Sequence, residues 1–295
     1  MPFEYYITLA IQIGIYSIAA IGLNITMGYA GQVNLGQAAF LGIGAMTSAI
    51  LTTKLGASFW LALPLAGALA GATGVALGFI STRLRHDFLA ITTIGFNFIV
   101  VYIFLYYKVF GGSYGIINIP RPELLGFKLR GIYYAILVYA LLAVLAYAAL
   151  RIERTWMGMA FKLLREDEEA AMSLGVDPRK YKVLAFSIGA AYGGIAGSLL
   201  AHFKTVIVYS DFEFVYSIMI LSMSILGGID SVYGGIAGAA IVILLPEVFR
   251  PLMEYRVIMY SALIVVMLLL MPSGILGKQS PITIWLKESE GRGHG

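Results

Sequence analysis

Long runs of apolar residues are the feature that most constrains how this chain can fold. Six clear runs cover residues 6–28, 59–81, 88–109, 131–150, 183–203 and 256–271. A helix needs ~20 mostly apolar residues to cross the hydrocarbon layer, where each backbone N–H and C=O must pair within the protein. The chain is 60% hydrophobic and only 12% charged, whereas a soluble domain is about one quarter charged. These features predict an integral membrane protein with an all-α fold, a polytopic transmembrane helical bundle.

Three further apolar runs are shorter and rich in glycine. They cover residues 37–53, 212–228 and 232–249. Each of them could be a tilted span, a half-helix or a re-entrant element that does not cross the membrane. Counting all of them predicts nine crossings, with eight and ten as open alternatives.

The positions of the basic residues predict the orientation, because short loops rich in Lys and Arg stay on the cytoplasmic side. Arg83 and Arg85 lie in one such loop, and seven more basic residues lie between 151 and 182. Two crossings separate these loops, so both are predicted to face the cytoplasm, with the N-terminus outside. The predicted domains are a transmembrane domain over residues 1–277, which includes the cytoplasmic segment 151–182, and a flexible cytoplasmic tail over 278–295. The first run is longer than the core of a signal peptide and follows no basic residue, so we expect it to be retained.

Several kinds of chemistry are absent from this sequence. It has no cysteine, which excludes disulfides, thiolate metal sites and thiol catalysis. His86, His202 and His294 show no metal-ligand spacing and are interpreted as interfacial or tail residues. The clear spans carry no ionisable side chain near their middles, which argues against an ion-coupled carrier. No phosphate-binding loop occurs, so transport driven by ATP would need a separate ATPase subunit; a passive channel is the alternative.

A polar segment interrupts the apolar sequence near the N-terminus. Residues 28–37 contain glycines and three amides, Gln32, Asn34 and Gln37, and Asn24 precedes them. Unpaired amides are costly in hydrocarbon, so this segment either borders a translocation pathway or is an ordinary interfacial turn. A related glycine-rich pattern at residues 227–235 hints at an internal repeat.

The charged segment between residues 151 and 182 is predicted to contain a short cytoplasmic helix. Good helix formers fill residues 156–174, Gly175 can end the helix, and Pro178 blocks its continuation. On helical geometry, one side carries Ala160, Leu163, Leu164, Ala171 and Leu174. The rest of the surface carries Arg165, Asp167, Glu168 and Glu169. On this pattern alone, a solvated loop helix is the competing interpretation.

The sequence of this segment resembles a known signature. Residues 169–175 read Glu-Ala-Ala-x-x-x-Gly, which is similar to the first part of the cytoplasmic signature of ABC importer permeases. The second part, an isoleucine followed by Leu-Pro, is replaced by Ala185-Phe186-Ser187. More widely, the chain resembles the branched-chain (hydrophobic) amino acid ABC transporter permeases, in particular the type with an R-E-D-E-x-A-A loop. The segments that carry this resemblance are residues 23–40, 164–177, 182–187, 226–228 and 272–277.

This resemblance implies a function and a set of partners. The chain would be a non-catalytic permease subunit that forms the pathway for branched-chain or hydrophobic amino acids. It would pair with a second homologous permease, two cytoplasmic ABC ATPases and an extracytoplasmic substrate-binding protein, which the loop 111–130 would meet. ATP and Mg would be bound by the ATPases, so no cofactor, metal or nucleic acid is expected on this chain. A permease for urea or short-chain amides and a stand-alone channel remain the alternatives.

The resemblance also implies a location and two sets of functional residues. The location is the cytoplasmic (inner) membrane of a prokaryote, in lipid and crossed many times. The residues expected to couple to the ATPase are Arg165, Glu166, Asp167, Glu168, Glu169, Ala170, Ala171 and Gly175. The residues expected to border the pathway are Asn24, Gln32, Asn34 and Gln37.

Overall fold

The computed structural model describes residues 2–84, 86–124, 126–248 and 274–276. The predicted span 256–271, the tail 278–295, Arg85 and His294 therefore lie outside the described residues. The helices are α1 (Pro2–Leu23), α2 (Gln37–Thr53), α3 (Phe59–Ser81), α4 (His86–Tyr106), α5 (Ile132–Glu153), α6 (Trp156–Glu166), α7 (Glu168–Ser173), α8 (Pro178–Lys204), α9 (Phe214–Gly227) and α10 (Val232–Val248).

The helical bundle confirms the fold class predicted from the apolar runs. Among the described residues, six stretches are long and apolar enough to cross a membrane: Phe3–Tyr29, Phe59–Ser81, Asp87–Tyr106, Ile132–Glu153, Pro178–Lys204 and Tyr209–Gly227. Five of them match the clear runs of the sequence, and the sixth extends the run at 212–228. Two shorter apolar helices, Gln37–Thr53 and Val232–Leu245, match the remaining uncertain runs.

Helix α8 forms the centre of the bundle. It packs against α1, α2 and α3, while α5 packs against α1, and α9 and α10 pair with each other beside α1. Inside the protein, 67% of the apolar stretch of α8 is buried, against 17% for α5. Helix α5 therefore presents most of its surface to the surroundings, as a lipid-facing helix does.

Glycines bring α2 and α3 close to α8. A Cβ at Gly197 of α8 would overlap the carbonyl oxygen of Leu41 in α2, and one at Gly44 would overlap the backbone of Gly194. A Cβ at Gly74 of α3 would lie only 2.5 Å from the Ala190 Cβ of α8. Small residues let transmembrane helices approach this closely, and dispersion then stabilises the contact.

Both basic loops lie at the same end of the bundle, as the sequence predicts. Arg83 and Arg179 line one surface depression there, together with residues from the end of α3. We call this the coupling end and the opposite one the outer end. The assignment of the coupling end to the cytoplasm rests on its basic residues.

The segment between α4 and α5 covers the outer end. It contains two 3₁₀ turns, Lys108–Phe110 and Gly112–Tyr114, and a two-stranded antiparallel hairpin of β1 (Glu123–Leu124) and β2 (Phe127–Lys128). Backbone hydrogen bonds between Ile116 and Ile207 tie this segment to the chain that follows α8. Trp60 Nε1 donates to the Glu123 carbonyl oxygen at 2.9 Å, which fixes the hairpin over α3.

Candidate functional site: a broken helix held by the coupling segment

The polar segment near the N-terminus forms a break between α1 and α2. Helix α1 continues into a π-helical turn, Asn24–Tyr29, and an irregular segment at 30–36 leads to Gln37. Gln37 Nε2 donates to the carbonyl oxygens of Ala19 at 3.3 Å and Gly189 at 3.1 Å, which belong to the interiors of α1 and α8. Helix α2 therefore begins part-way along α1 and α8, as a half-helix would.

The amide side chains of this break form hydrogen bonds with other groups of the protein. Asn34 Nδ2 donates to Gln37 Oε1 at 2.9 Å, and Asn34 Oδ1 accepts from the Gly36 N–H at 2.9 Å. Gln32 Nε2 donates to the Lys182 carbonyl oxygen at 3.1 Å, and Gln32 Oε1 accepts from the Ser81 hydroxyl at 2.8 Å. These partners explain how three buried amides are tolerated within a membrane bundle, since an irregular backbone at this depth must be enclosed by protein or water.

Asn24 joins the break to the second glycine-rich segment. Its Nδ2 donates to the carbonyl oxygens of Gly228 at 3.2 Å and Ser231 at 2.9 Å. A Cβ at Gly28 would overlap the carbonyl group of Ile229, so only glycine permits this approach. The two segments with related patterns thus touch each other at the coupling end. Asn24 Oδ1 is buried and has no hydrogen-bond partner within the described part of the chain.

A second polar cluster lies at the start of α2. The Ser217 hydroxyl of α9 accepts from the Ala38 N–H at 2.9 Å and donates to Asn97 Oδ1 at 2.8 Å. Asn97 Nδ2 in turn donates to the Phe212 carbonyl oxygen at 3.0 Å. The first N–H groups of a helix lack partners within it, so the Ser217 hydroxyl of α9 provides the hydrogen-bond acceptor for one N–H group at the start of α2. A lone serine in an apolar run gives no sequence signal for this role.

The coupling segment, residues 151–182, contains two helices where the sequence predicts one. The chain breaks at Asp167, whose Oδ1 accepts from the backbone N–H groups of Glu169 at 2.9 Å and Ala170 at 3.0 Å. This is the arrangement of an N-cap, which stabilises a new helix start. The prediction of a single helix is therefore wrong, because Asp167 caps α7 rather than extending α6.

The predicted end of the cytoplasmic helix at Gly175 is confirmed. Gly175 follows α7 with φ +82°, a left-handed conformation that glycine adopts without strain. The Val176 N–H then donates back to the Ala171 carbonyl oxygen at 3.0 Å. Pro178 starts α8 after Asp177, whose Oδ1 accepts from the Arg179 N–H at 2.9 Å.

The buried side of the coupling segment differs from the predicted one at Leu174. Ala160, Leu164 and Ala171 pack together with Val176, as the helical pattern indicates for the first three. Leu174 is instead 65% exposed, because the chain turns at Gly175 and points it away. Ala170 and Met172 of α7 are exposed as well, and we call residues 170, 172 and 174 together the apolar tip. Ala171 is fully buried within the chain, so Ala170 is the alanine of the signature that remains on the surface.

The coupling segment and the break are in direct contact. Arg165 Nη1 donates to the Gly28 carbonyl oxygen. Gly31, with φ +66°, lies so close that a Cβ there would come within 2.8 Å of Arg165 Cγ. The structure thus brings the two predicted sets of residues together, although 137 positions separate Arg165 from Gly28. A backbone carbonyl leaves no mark in a sequence, so no residue pattern announces this contact.

An ion pair adds a second link at the same place. Lys182 Nζ lies 2.6 Å from Glu168 Oε2, and Lys182 is also the residue whose carbonyl oxygen binds Gln32. The Lys182 side chain is 13% exposed and that of Glu168 41% exposed, so solvent screens this pair only in part. Glu166 and Glu169, the other acidic residues of the predicted coupling set, are exposed.

A polar cluster at the outer end corrects the interpretation of His202 as an interfacial residue. His202 is 1% exposed. Its Nδ1 lies 2.6 Å from the Pro120 carbonyl oxygen and its Nε2 2.9 Å from the Ser48 hydroxyl of α2, which accepts from Ser198 at 2.8 Å. A carbonyl oxygen can only accept, so Nδ1 carries the hydrogen and Nε2 of the neutral ring accepts from Ser48. Within the described ranges, no group of three acidic or histidine side chains could hold a metal ion.

Comparisons with known proteins indicate the family to which this chain belongs. The chain is 36% identical over 292 residues to the high-affinity branched-chain amino acid transport system permease protein LivM of Escherichia coli strain K12, covering 90% of this chain and 69% of that protein. It is 26% identical to the probable LivM protein of Methanocaldococcus jannaschii, covering 93% and 94%. A shorter match, 34% over 124 residues, links it to the LivH permease protein of E. coli, covering 41% and 40%. No solved structure gives a significant match.

The match to a family extends over most of the chain. The family profile described as "Branched-chain amino acid transport system / permease component" matches residues 5–272, which include the break, the coupling segment and the segment at 227–235. The chain therefore belongs to the family of permease components of branched-chain amino acid transport systems.

Proposed function

We propose that this chain is one of two homologous permease subunits of an ABC importer and carries a branched-chain amino acid across the membrane. The similarity to both LivM and LivH supports the pairing, since two related permease types occur among the matched proteins. Two cytoplasmic ATPases would bind ATP and Mg, and an extracytoplasmic binding protein would deliver the substrate. The importer would lie in the cytoplasmic (inner) membrane of a prokaryote, and this chain would catalyse no reaction of its own.

The contact between Arg165 and the Gly28 carbonyl oxygen is the observation that carries the proposed mechanism. The apolar tip and Glu169 are exposed and would insert into a cleft of the ATPase. When ATP closes the ATPase pair, α7 would move with it, and Asp167 would pass the motion to α6. Arg165 and the Lys182–Glu168 pair would then pull on the break between α1 and α2.

The break would act as the moving part of the pathway. In the described arrangement, Asn24, Gln32, Asn34 and Gln37 are buried within this chain, and their hydrogen bonds hold the break in place. They would border the pathway when the break rearranges. A set of such bonds can exchange one group of carbonyl partners for another, which suits a two-state element. A continuous helix could not do so without losing its own backbone hydrogen bonds.

The test is purification of the tagged full-length chain from its native membrane in mild detergent, followed by reconstitution of whatever co-purifies. We expect two ATPase subunits and a homologous permease in the eluate. With the binding protein added, proteoliposomes should take up leucine, isoleucine and valine when ATP is present on the ATPase side.

Three outcomes would contradict the proposal. Uptake of urea or acetamide in place of the branched-chain amino acids would reassign the substrate class. Substrate flux without any ATPase would identify a channel. An assembled complex whose ATPase activity does not respond to the loaded binding protein would contradict the coupling mechanism.

A further inference from the structure

A cavity of about 360 Å³ opens at the outer end. It lies between the first turns of α1, the start of α5, the end of α8 and the segment that covers this end. Its volume is at the lower end of the range of ~300–1,000 Å³ found for small-molecule sites. The cavity is separate from the break and from the coupling segment, which lie at the opposite end of the bundle.

Charged groups of both signs line this cavity. Arg121 and Arg130 come from the covering segment, and Glu4 comes from the first turn of α1. Nearby Lys128 pairs with Glu123 at 3.5 Å on the hairpin, whereas the described residues give Arg121, Arg130 and Glu4 no ion pair. Arg121 is partly buried, whereas Arg130 and Glu4 are exposed at the mouth of the cavity. A charge that loses part of its water without gaining a partner is unfavourable, so Arg121 is suited to a charged ligand.

The remaining wall of the cavity is largely apolar. Its apolar part includes Ile7 and Ile11 of α1, Leu129 of the covering segment, and Phe203 of α8, with the buried Tyr134 of α5 beside them. The cavity thus offers two guanidinium groups, one carboxylate and an aliphatic surface within one small volume. Guanidinium groups bind carboxylates through paired, charge-assisted hydrogen bonds.

We infer that this cavity is a receiving site for the zwitterion of an aliphatic α-amino acid. Arg121 and Arg130 bind its carboxylate, Glu4 binds its ammonium group, and Ile7 and Ile11 contact its side chain. This inference rests on the proposed function, which brings such a molecule to the outer end. The phosphate and amine of a phosphatidylethanolamine headgroup share this charge pattern, so the experiment below separates the two sources.

The position of Arg121 connects this site to α2. Arg121 directly follows Pro120, whose carbonyl oxygen binds His202, and His202 binds Ser48 of α2. His202 itself lines the cavity. A carboxylate that draws Arg121 inward therefore acts on the same helix whose other end is the break.

The test uses the full-length chain in nanodiscs of phosphatidylcholine and three probes of one shape. L-Leucine has both charges, 3-methylbutylamine lacks the carboxylate, and 4-methylpentanoate lacks the ammonium group. We expect Arg121→Gln to weaken leucine binding roughly ten- to hundredfold, the loss typical of a hydrogen bond between charged groups. The same variant should change 3-methylbutylamine binding less than about twofold. Glu4→Gln should weaken the binding of leucine and of 3-methylbutylamine, because both carry the ammonium group. It should leave the binding of 4-methylpentanoate unaffected. Lys128→Gln, on the hairpin outside the cavity, should leave all three probes unchanged.

Several results would overturn the inference. Equal weakening of all three probes by Arg121→Gln would contradict recognition of the carboxylate by Arg121, and leucine binding that is unaffected by both variants would place any site elsewhere. Nanodiscs that contain phosphatidylethanolamine add the second arm. If that lipid abolishes leucine binding to the unaltered chain, the cavity is a lipid site.

Failure here is distinguishable from failure of the proposed function. If the assembled importer takes up leucine and the Arg121 and Glu4 variants do so with unchanged concentration dependence, the receiving site is wrong while the importer stands. If the assembled importer carries no branched-chain amino acid at all, the proposed function itself is wrong.

Discussion

Asn24 shows how a single buried amide can hold two distant parts of the chain together. It donates two hydrogen bonds across more than 200 positions, to the turn that separates α9 from α10. Its presence in an apolar run is visible in the sequence, but its partners are backbone carbonyl oxygens, which every residue possesses. The sequence therefore identifies the residue and not the contact.

We expect Asn24→Asp to destabilise the bundle by ~2–3 kcal/mol. A carboxylate would face the Gly228 and Ser231 carbonyl oxygens, and both acceptors would lose their donor within the protein. The unfolding midpoint in detergent measures this loss. The matched control is Thr92→Ala, which removes a hydroxyl that bonds only within α4 and should change stability by less than ~0.5 kcal/mol. Equal midpoints for Asn24→Asp and the unaltered protein would contradict the contact.

At the scale of the elements, glycine decides where helices touch. Gly197 of α8 faces the backbone of α2, whereas Gly95 of α4 has open space where a Cβ would be. Both lie inside helices, and the sequence alone does not distinguish them. Spacing at four residues, as in Gly193 and Gly197, predicts close packing in general but not the partner helix.

Substitution of these two glycines by alanine should change the stability of the protein in opposite directions. Gly197→Ala should cost ~1–3 kcal/mol, because the added methyl overlaps the Leu41 carbonyl oxygen and forces α2 away from α8. Gly95→Ala should stabilise α4 by ~0.5–1 kcal/mol, since alanine loses less backbone entropy in a helix. Thermal unfolding of the two variants side by side measures both effects. The same sign for both would contradict the helix packing described above.

Gly175 gives the corresponding prediction for the coupling segment. Its φ of +82° is inaccessible to proline, so Gly175→Pro should abolish transport while the subunit still inserts into the membrane. Gly175→Asn is the matched control, because asparagine tolerates the left-handed region and nothing lies within 4 Å of the added Cβ. ATPase activity that responds normally to the loaded binding protein in Gly175→Pro would contradict a role of this turn in coupling.

Much of the element scale is predictable from the sequence, for a physical reason. The hydrocarbon layer requires long apolar helices, and the runs at 59–81 and 131–150 match α3 and α5 closely. The two short helices of the coupling segment are less predictable, because a local hydrogen bond of Asp167 outweighs helix propensity at that point. The predicted position of Leu174 on the apolar side is wrong for a related reason, because the turn at Gly175 ends the helical periodicity.

At the scale of the whole molecule, α2 connects the two ends. Its first residues belong to the break that Arg165 contacts, and Ser48 in its later half belongs to the His202 cluster under the outer segment. A shift of α2 against α8 would therefore change the contacts of the break at one end and of the His202 cluster at the other. This connection joins residues from five different elements, so it depends on tertiary packing that the order of the apolar runs does not specify.

The measurement that tests this account most directly is the number of leucine molecules imported per ATP hydrolysed by the assembled transporter in proteoliposomes. Arg165→Ala removes the hydrogen bond to the Gly28 carbonyl oxygen and leaves the ATPases intact. Arg154→Ala is the control, because Arg154 is exposed in the same segment and outside this contact. We expect Arg165→Ala to lower the ratio about tenfold, with ATPase activity retained and Arg154→Ala unchanged. A ratio for Arg165→Ala equal to that of the unaltered transporter would contradict the claim that this contact transmits the motion.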